Sequence, residues 1–290
     1  MREFSSPRPV AIGSASVLQR RATLASLLAT RSGRIGIVLS ALVVATALLG
    51  PLLTSVDPFT LSGKPLLPPS MAHVFGTDAL GRDMLSGLLF GARTSLLVAL
   101  VSSALTFVCG VAFGLIGGYF GTLIDNLLTR VTELLQVLPR FFLVIVVVAL
   151  FGPGLDRLVL TLGLTSWPLL ARVVRGEVRS LRHTDYVVAA EATGSTSMRI
   201  LYRTIMPNVW PSAIVVLGLM FGQVLLVEAS LGFLGLADPN TMSWGMLAGQ
   251  AQPFIRVAWW LPLFPGLAIT LAVLGVNLLI DAYSTTFHTR

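Results

Sequence analysis

The sequence predicts an all-α membrane protein with six transmembrane helices, and three observations carry that prediction. Of 290 residues, 54% are hydrophobic and 11% charged. Mean hydropathy is +0.84. Apolar runs near the ~20 residues that cross a ~30 Å hydrocarbon layer recur along the chain. They place helices at Ile35–Leu53, Ser95–Gly117, Leu134–Phe151, Leu158–Val174, Ala213–Phe233 and Ala258–Leu279. Basic residues collect on the cytoplasmic side of membrane proteins. With the N-terminus inside, inner segments hold 14 of the 20 Lys and Arg residues. Outer segments hold five: Lys64, Arg82, Arg93, Arg157 and Arg256; Arg140 is the remaining one. Both termini and residues 175–210 are therefore expected in the cytoplasm. The net charge of +7 then reports topology and contact with the lipid bilayer. It is not the clustered basic face of a nucleic-acid binder, so no nucleic-acid partner is expected.

Residues 1–34 read as a cytoplasmic tail without a cleavable signal-peptide pattern. Within it, Val17 to Leu28 sets Arg20 and Arg21 against Leu24, Leu27 and Leu28. That stretch is either an amphipathic helix on the inner membrane surface or a tail without fixed structure. Residues 35–290 form the membrane domain, with 54–93 as its long outer loop. Pro58, Pro65, Pro68 and Pro69 argue against regular structure in the first half of that loop. Gly76–Asp83 reads as a turn, and Met84–Phe90 as a short helix on the outer surface. Asp78 and Asp83 are candidate caps, and Arg82 a candidate ion-pair partner for one of them. Asp78, Arg82, Asp83 and Trp244 are candidate contacts for an external protein; a structural lid is the alternative.

The second span carries Gly110, Gly114, Gly117 and Gly118 at close-packing intervals. Cys109 stands alone, so no internal disulfide is possible. In the third span, Glu133 and Arg140 are seven apart and share one helical face, with Pro139 as a candidate kink. An unpaired charge at mid-bilayer costs at least ~2.5–3.5 kcal/mol on insertion scales. Arg140 therefore either lines a polar path or snorkels to the inner surface. Trp167 is a second candidate for the path, and Trp167-Pro168 is expected to bend the fourth span. Glu228, deep in the fifth span, either touches the path or makes structural hydrogen bonds. Asp281 ends the sixth span as an interface anchor.

Residues 175–210 are polar and arginine-rich between two apolar spans. Asp185-Tyr-Val-Val-Ala-Ala-Glu-Ala-Thr-Gly194 reads as one short helix capped by Thr184 or Asp185. Gly194 permits a sharp turn, because glycine takes positive φ without steric cost. A second short helix follows, capped by Ser195 or Thr196 and ended at Pro207. Ala189 and Ala190 are small enough for another protein to approach the backbone.

No catalytic constellation is present in this reading, and no cofactor or metal site is expected. His73, His183 and His288 lie too far apart to share a metal. The only lysine is Lys64, followed by Pro65, so the lysine of a phosphate-binding loop is missing. Any use of ATP must come from another subunit.

Several ordered blocks are similar to the permease subunits of dipeptide/oligopeptide-type ABC importers: Gly76-Thr-Asp, Gly81-Arg-Asp83, Gly152-Pro-Gly154, Ser166-Trp-Pro168, Asp185-Tyr-Val187, Glu228-Ala-Ser-Leu-x-Phe-Leu-Gly-Leu236, Ser243-Trp-Gly245 and Phe264-Pro-Gly266. The resemblance covers roughly Val74 to Asp281. The family's cytoplasmic motif is matched by Ala189, Ala190, Gly194 and Pro207, with Val188 where a glutamate is usual and Glu191 as its candidate substitute. The resemblance implies a type I ABC importer permease fold in a bacterial cytoplasmic membrane. It also implies a second homologous permease subunit, two ATP-binding cassette subunits docking below the pair, with residues 175–210 as this chain's coupling loop, and an extracytoplasmic substrate-binding protein. At Arg140 the family more often carries a small residue, which makes Arg140 a candidate for substrate tuning. An ion-driven secondary transporter would usually show an internal repeat, and none is visible. An intramembrane enzyme would need a nucleophile, metal site or carboxylate pair, and none is found.

Overall fold

The computed structural model describes residues 28–54, 56–137 and 139–288. The tail reading for Val17–Leu28 lies, up to residue 27, outside the described residues. In order, the helices are α1 Arg31–Leu53, α2 Met84–Phe120, α3 Thr122–Val137, α4 Arg140–Phe151, α5 Leu155–Arg182, α6 Asp185–Ala192, α7 Ser197–Ile200, α8 Met206–Phe233, α9 Trp244–Ala251 and α10 Trp260–His288. A π-helical turn at Leu201–Ile205 joins α7 to α8. Among the described residues, five helical segments are long and apolar enough to cross a membrane. The bent pair α3–α4 supplies a sixth crossing if counted as one. One end of the bundle carries the ordered loop 56–83. The other carries Arg172, Arg175, Arg179 and Arg182 on the last turns of α5, and is the basic end.

The most extensive packing joins α2 to α5, and the sequence explains it. Gly110, Gly114 and Gly118 repeat every four residues, so they share one face. A Cβ added at these glycines would lie 2.8 Å from Leu170, 2.6 Å from Val174 and 2.6 Å from Val178 of α5. Only hydrogen fits there, and the backbones close up as small-residue motifs allow. Two buried hydroxyls lace the same seam: Ser102 donates to Val159 O and Thr106 to Gly163 O, both at 3.2 Å. The α1–α10 crossing follows the same logic, with Gly36 against the backbone of α10 and Gly275 against Ser40.

Three expectations change. The short outer helix at Met84–Phe90 is not separate. It is the first two turns of α2, started by Asp83, whose carboxylate accepts from Ser86 N at 2.9 Å. Nothing in Met84–Ser95 breaks a helix, and Gly91 stays helical because its bare face receives Trp244. The kink expected at Pro139 is present and breaks the third span, which bends by 74° between α3 and α4. Pro139 takes extended backbone there and its carbonyl starts α4. Glu133 and Arg140 therefore sit on different helices and share no face. Finally, Pro207 does not end the second short helix. The π turn places Pro207 in the first turn of α8, where its missing N–H costs little. The chain runs helically from Ser197 to Phe233.

Candidate functional site

At the basic end, α6 and the turn that follows it are largely exposed. Tyr186 (46% exposed), Val188 (52%) and Met198 (57%) face outward beside exposed Ala189 and Glu191. Val187 faces inward and is fully buried. Packed with it are Ile200, Leu201 and Ile205, so the projection is seated on its own core. Gly194 takes φ +77°. Ser195 N donates to Ala190 O at 3.1 Å and Gly194 N to Glu191 O at 3.0 Å. That pairing is a Schellman cap, which uses a left-handed residue to satisfy the last helical carbonyls. Thr184 and Thr196 hold the expected N-cap positions, but neither side chain caps. Thr184 instead donates its hydroxyl to Leu181 O.

Tyr119, in the last turn of α2, donates to Glu191 Oε1 at 3.1 Å. The Arg182 guanidinium lies 5.4 Å over the Tyr119 ring. Three elements thus meet at one node: the end of α2, the end of α5 and the exposed helix. Next to it, buried Asp125 of α3 pairs with Arg175 at 3.0 Å and with Arg179. Arg172 reaches Gln136 Oε1 at 2.7 Å. Sequence reading passed over Tyr119, Asp125 and this use of the arginines. A signal was there, because Arg172, Arg175, Arg179 and Arg182 recur at steps of three and four and so share a helical face. Asp125 is the sole acidic residue between Asp83 and Glu133.

The path candidates separate. Trp167 is 4% exposed and stacks obliquely on Phe113 at 4.6 Å. Both line a cavity of about 230 Å³ with Glu133, Arg172 and Arg175. Arg140 lines a different cavity and donates to Ser166 Oγ at 3.1 Å. Glu228 is 2% exposed and accepts from Ser95 Oγ at 3.1 Å. Ser95 Oγ in turn accepts from Trp244 N. The structural reading of Glu228 is the one this geometry supports: it ties α8 to α2 and α9.

The outer candidates turn inward. Trp244, expected at the surface, is 2% exposed, and its ring N–H donates to Leu88 O at 2.9 Å. It sinks because Gly91 leaves room for it and because Gly232, Gly245 and Gly249 bring α9 against the end of α8. Asp78 is 6% exposed and accepts from Leu80 N and Arg82 N. Arg82 pairs with neither aspartate; its guanidinium lies 5.2 Å over the Phe59 ring. Asp83 instead meets His73 at 3.2 Å. The loop is also pinned from α10, where Trp260 donates to Thr77 O and Phe264 stacks on Phe75 at 4.1 Å.

Residues 110–290 match the family described as binding-protein-dependent transport system inner membrane component. The dipeptide transport system permease protein of Alkalihalophilus pseudofirmus is 37% identical over 249 residues, covering 85% of this chain and 82% of the relative. The di/tripeptide transport system permease protein of Pseudomonas aeruginosa is 36% identical over 254 residues, covering 85% and 84%. Among solved structures, the inward-facing MetNI methionine ABC transporter overlays with a TM-score of 0.59 at 18% identity. The overlay covers 71% of this chain and 98% of that one, a likeness of fold.

Proposed function

The chain belongs to the family of binding-protein-dependent transport system inner membrane components, and on that premise we propose that its cargo is peptides or similar small solutes delivered by an extracytoplasmic binding protein. It is a multi-pass inner-membrane permease subunit of an ATP-driven importer, and ATP is hydrolysed by a separate subunit. In the proposed assembly a second homologous permease completes the translocation path, and two ATPase subunits dock on the basic end. That end and both termini then face the cytoplasm, in keeping with the arginine distribution. ATP is held by the partners, and this chain carries no cofactor of its own.

The single observation behind the docking assignment is the projecting α6 with its Schellman turn at Gly194, seated on buried Val187 and tied to α2 through Tyr119 and Glu191. A helix held on both sides transmits displacement, whereas a slack loop would absorb it. Ala189, Ala190, Glu191, Gly194 and Pro207 are its candidate coupling residues. The peptide cargo follows from the two permeases above, each named for di- or tripeptides. The test is reconstitution with the partner permease, the ATPases and the binding protein in proteoliposomes. Expected is peptide uptake that requires ATP and loaded binding protein and survives collapse of ion gradients. Uptake by the lone chain, driven by an ion gradient, would overturn the reading.

A further inference from the structure

Arg140 stands at the break between α3 and α4. Its Nη1 donates to Ser166 Oγ at 3.1 Å. Ser166 lies eleven steps into α5 from Leu155, or roughly 16 Å at 1.5 Å per residue, near the middle of a ~30 Å hydrocarbon layer. The guanidinium is thus held at mid-depth, which the snorkelling alternative does not fit. Its nearest helical acid, Glu133, lies across the 74° bend and lines another cavity with Arg172 and Arg175. Among the described residues no carboxylate lies within 4.0 Å of Arg140. Among those residues its one hydrogen-bonded neighbour, Ser166, is neutral, and that hydroxyl already donates to Leu162 O at 2.5 Å. A guanidinium offers about five N–H donors, so most of them remain available to a ligand.

Those donors face a cavity of about 210 Å³ lined by Gln136, Pro139, Arg140, Thr165, Ser166 and Leu169. Gln136 uses its amide oxygen on Arg172, which leaves its NH2 as a donor. Thr165 donates its hydroxyl proton to Thr161 O at 2.6 Å. The free donors are thus those of Arg140 and Gln136, the lining holds no acid, and the volume is below the ~300 Å³ at which whole-ligand pockets begin. It suits the end of a molecule. A fork of N–H donors matches the two oxygens of a carboxylate, and at this depth a lipid headgroup is out of reach.

We propose that Arg140, Gln136 and the helix break form a transit site for the terminal carboxylate of the solute, so that the permease itself reads the free acid end of a peptide. This rests on the peptide reading above. The experiment uses the complete reconstituted complex and an alanine dipeptide as free acid or C-terminal amide. The binding protein's affinity for each form is measured first, so that both are supplied at equal, saturating occupancy. Wild type should carry the acid at least about tenfold faster than the amide, a difference in keeping with a charge-assisted pair. In Arg140→Gln the acid should fall to the amide's rate, and in Arg140→Lys most of the preference should return. Co-purification of the ATPases checks assembly. If Arg140→Gln does not assemble, Thr165→Glu supplies the missing carboxylate inside the cavity and should erase the preference with Arg140 intact. A wild-type complex without acid preference, or an Arg140→Gln complex that keeps it, overturns the proposal. Wild-type vesicles rich in anionic lipid should show the same preference as neutral ones; loss of it would assign Arg140 to lipid and overturn the proposal too. A wild-type complex that imports neither form removes the peptide reading and this inference with it.

Discussion

Gly114 and Gly194 are the same residue kept for opposite reasons. At Gly114 the backbone is ordinary helix, and the constraint is space: a Cβ would lie 2.6 Å from Val174 and 2.9 Å from Ala171 O. At Gly194 the space is empty, with nothing within 4 Å, and the constraint is the backbone at φ +77°. The first glycine lets two long helices become one rigid body. The second lets an exposed helix stop and turn at a point where no neighbour crowds the backbone. One region is built by exclusion of volume, the other by permission of angle, and the two should respond to substitution in different currencies.

The sharpest way to break the comparison is Gly114→Leu. Overpacking a tight site typically costs ~1–3 kcal/mol, and here the displaced atoms are backbone and a β-branched side chain. Gly114→Leu should leave little folded, extractable chain, read as loss of the monodisperse peak in detergent. Folded chain at wild-type yield would show that the α2–α5 seam is not the organising contact.

Gly194→Val comes next, with a different signature. A left-handed residue with a Cβ costs roughly 1–2 kcal/mol, and β-branching adds to this. The membrane helices should still insert, because their apolar lengths and flanking charges are untouched. Uptake and substrate-stimulated ATP hydrolysis should fall together by about tenfold, the rate equivalent of ~1.4 kcal/mol, and the ATPases should co-purify less firmly. Gly194→Asn should be much milder, since asparagine tolerates positive φ; Thr193→Ala is the neighbouring control. Wild-type uptake in Gly194→Val with firmly bound ATPases would remove this turn from the coupling machinery.

The smallest effect is expected at the join between the two regions. Asp125→Asn deprives Arg175 and Arg179 of their shared carboxylate. The Arg179 side chain is 56% exposed, so solvent screens much of the loss, and the cost should be about 1 kcal/mol rather than that of a fully buried pair. A fall of a few degrees in the detergent Tm, with the ATPases still bound, would fit. A collapse as severe as that of Gly114→Leu would mean that the arginine face of α5 holds the fold as strongly as its glycine face does.

The apolar lengths and the glycine spacing made the bundle legible in the sequence, and the alanines and Gly194 made the projecting helix legible. The missed features share a physical cause: each depends on a partner distant in the chain. Trp244 follows a polar turn and reads as exposed, yet Gly91, more than 150 residues earlier, holds the space that buries it. Pro207 reads as a terminator by local rules, but the π turn before it absorbs the missing donor. Asp125 lies in a helix with a mostly exposed apolar face, and only α5 reveals what it neutralises. Met84–Phe90 failed differently. A helix start was visible at Asp83, but no stop signal follows it until Gly121.

That uninterrupted α2 has a mechanical consequence. Thirty-seven residues make a rod of roughly 55 Å at 1.5 Å per residue, nearly twice the hydrocarbon thickness. Asp83, at its head, holds His73 in the outer loop. Tyr119, at its foot, holds Glu191 on the projecting helix. One uninterrupted helix therefore joins the outer loop to the helix proposed to meet the ATPase. Between those two contacts the helix has no break, so the two faces of the membrane share one piece of backbone and neither end can shift along the helix axis alone.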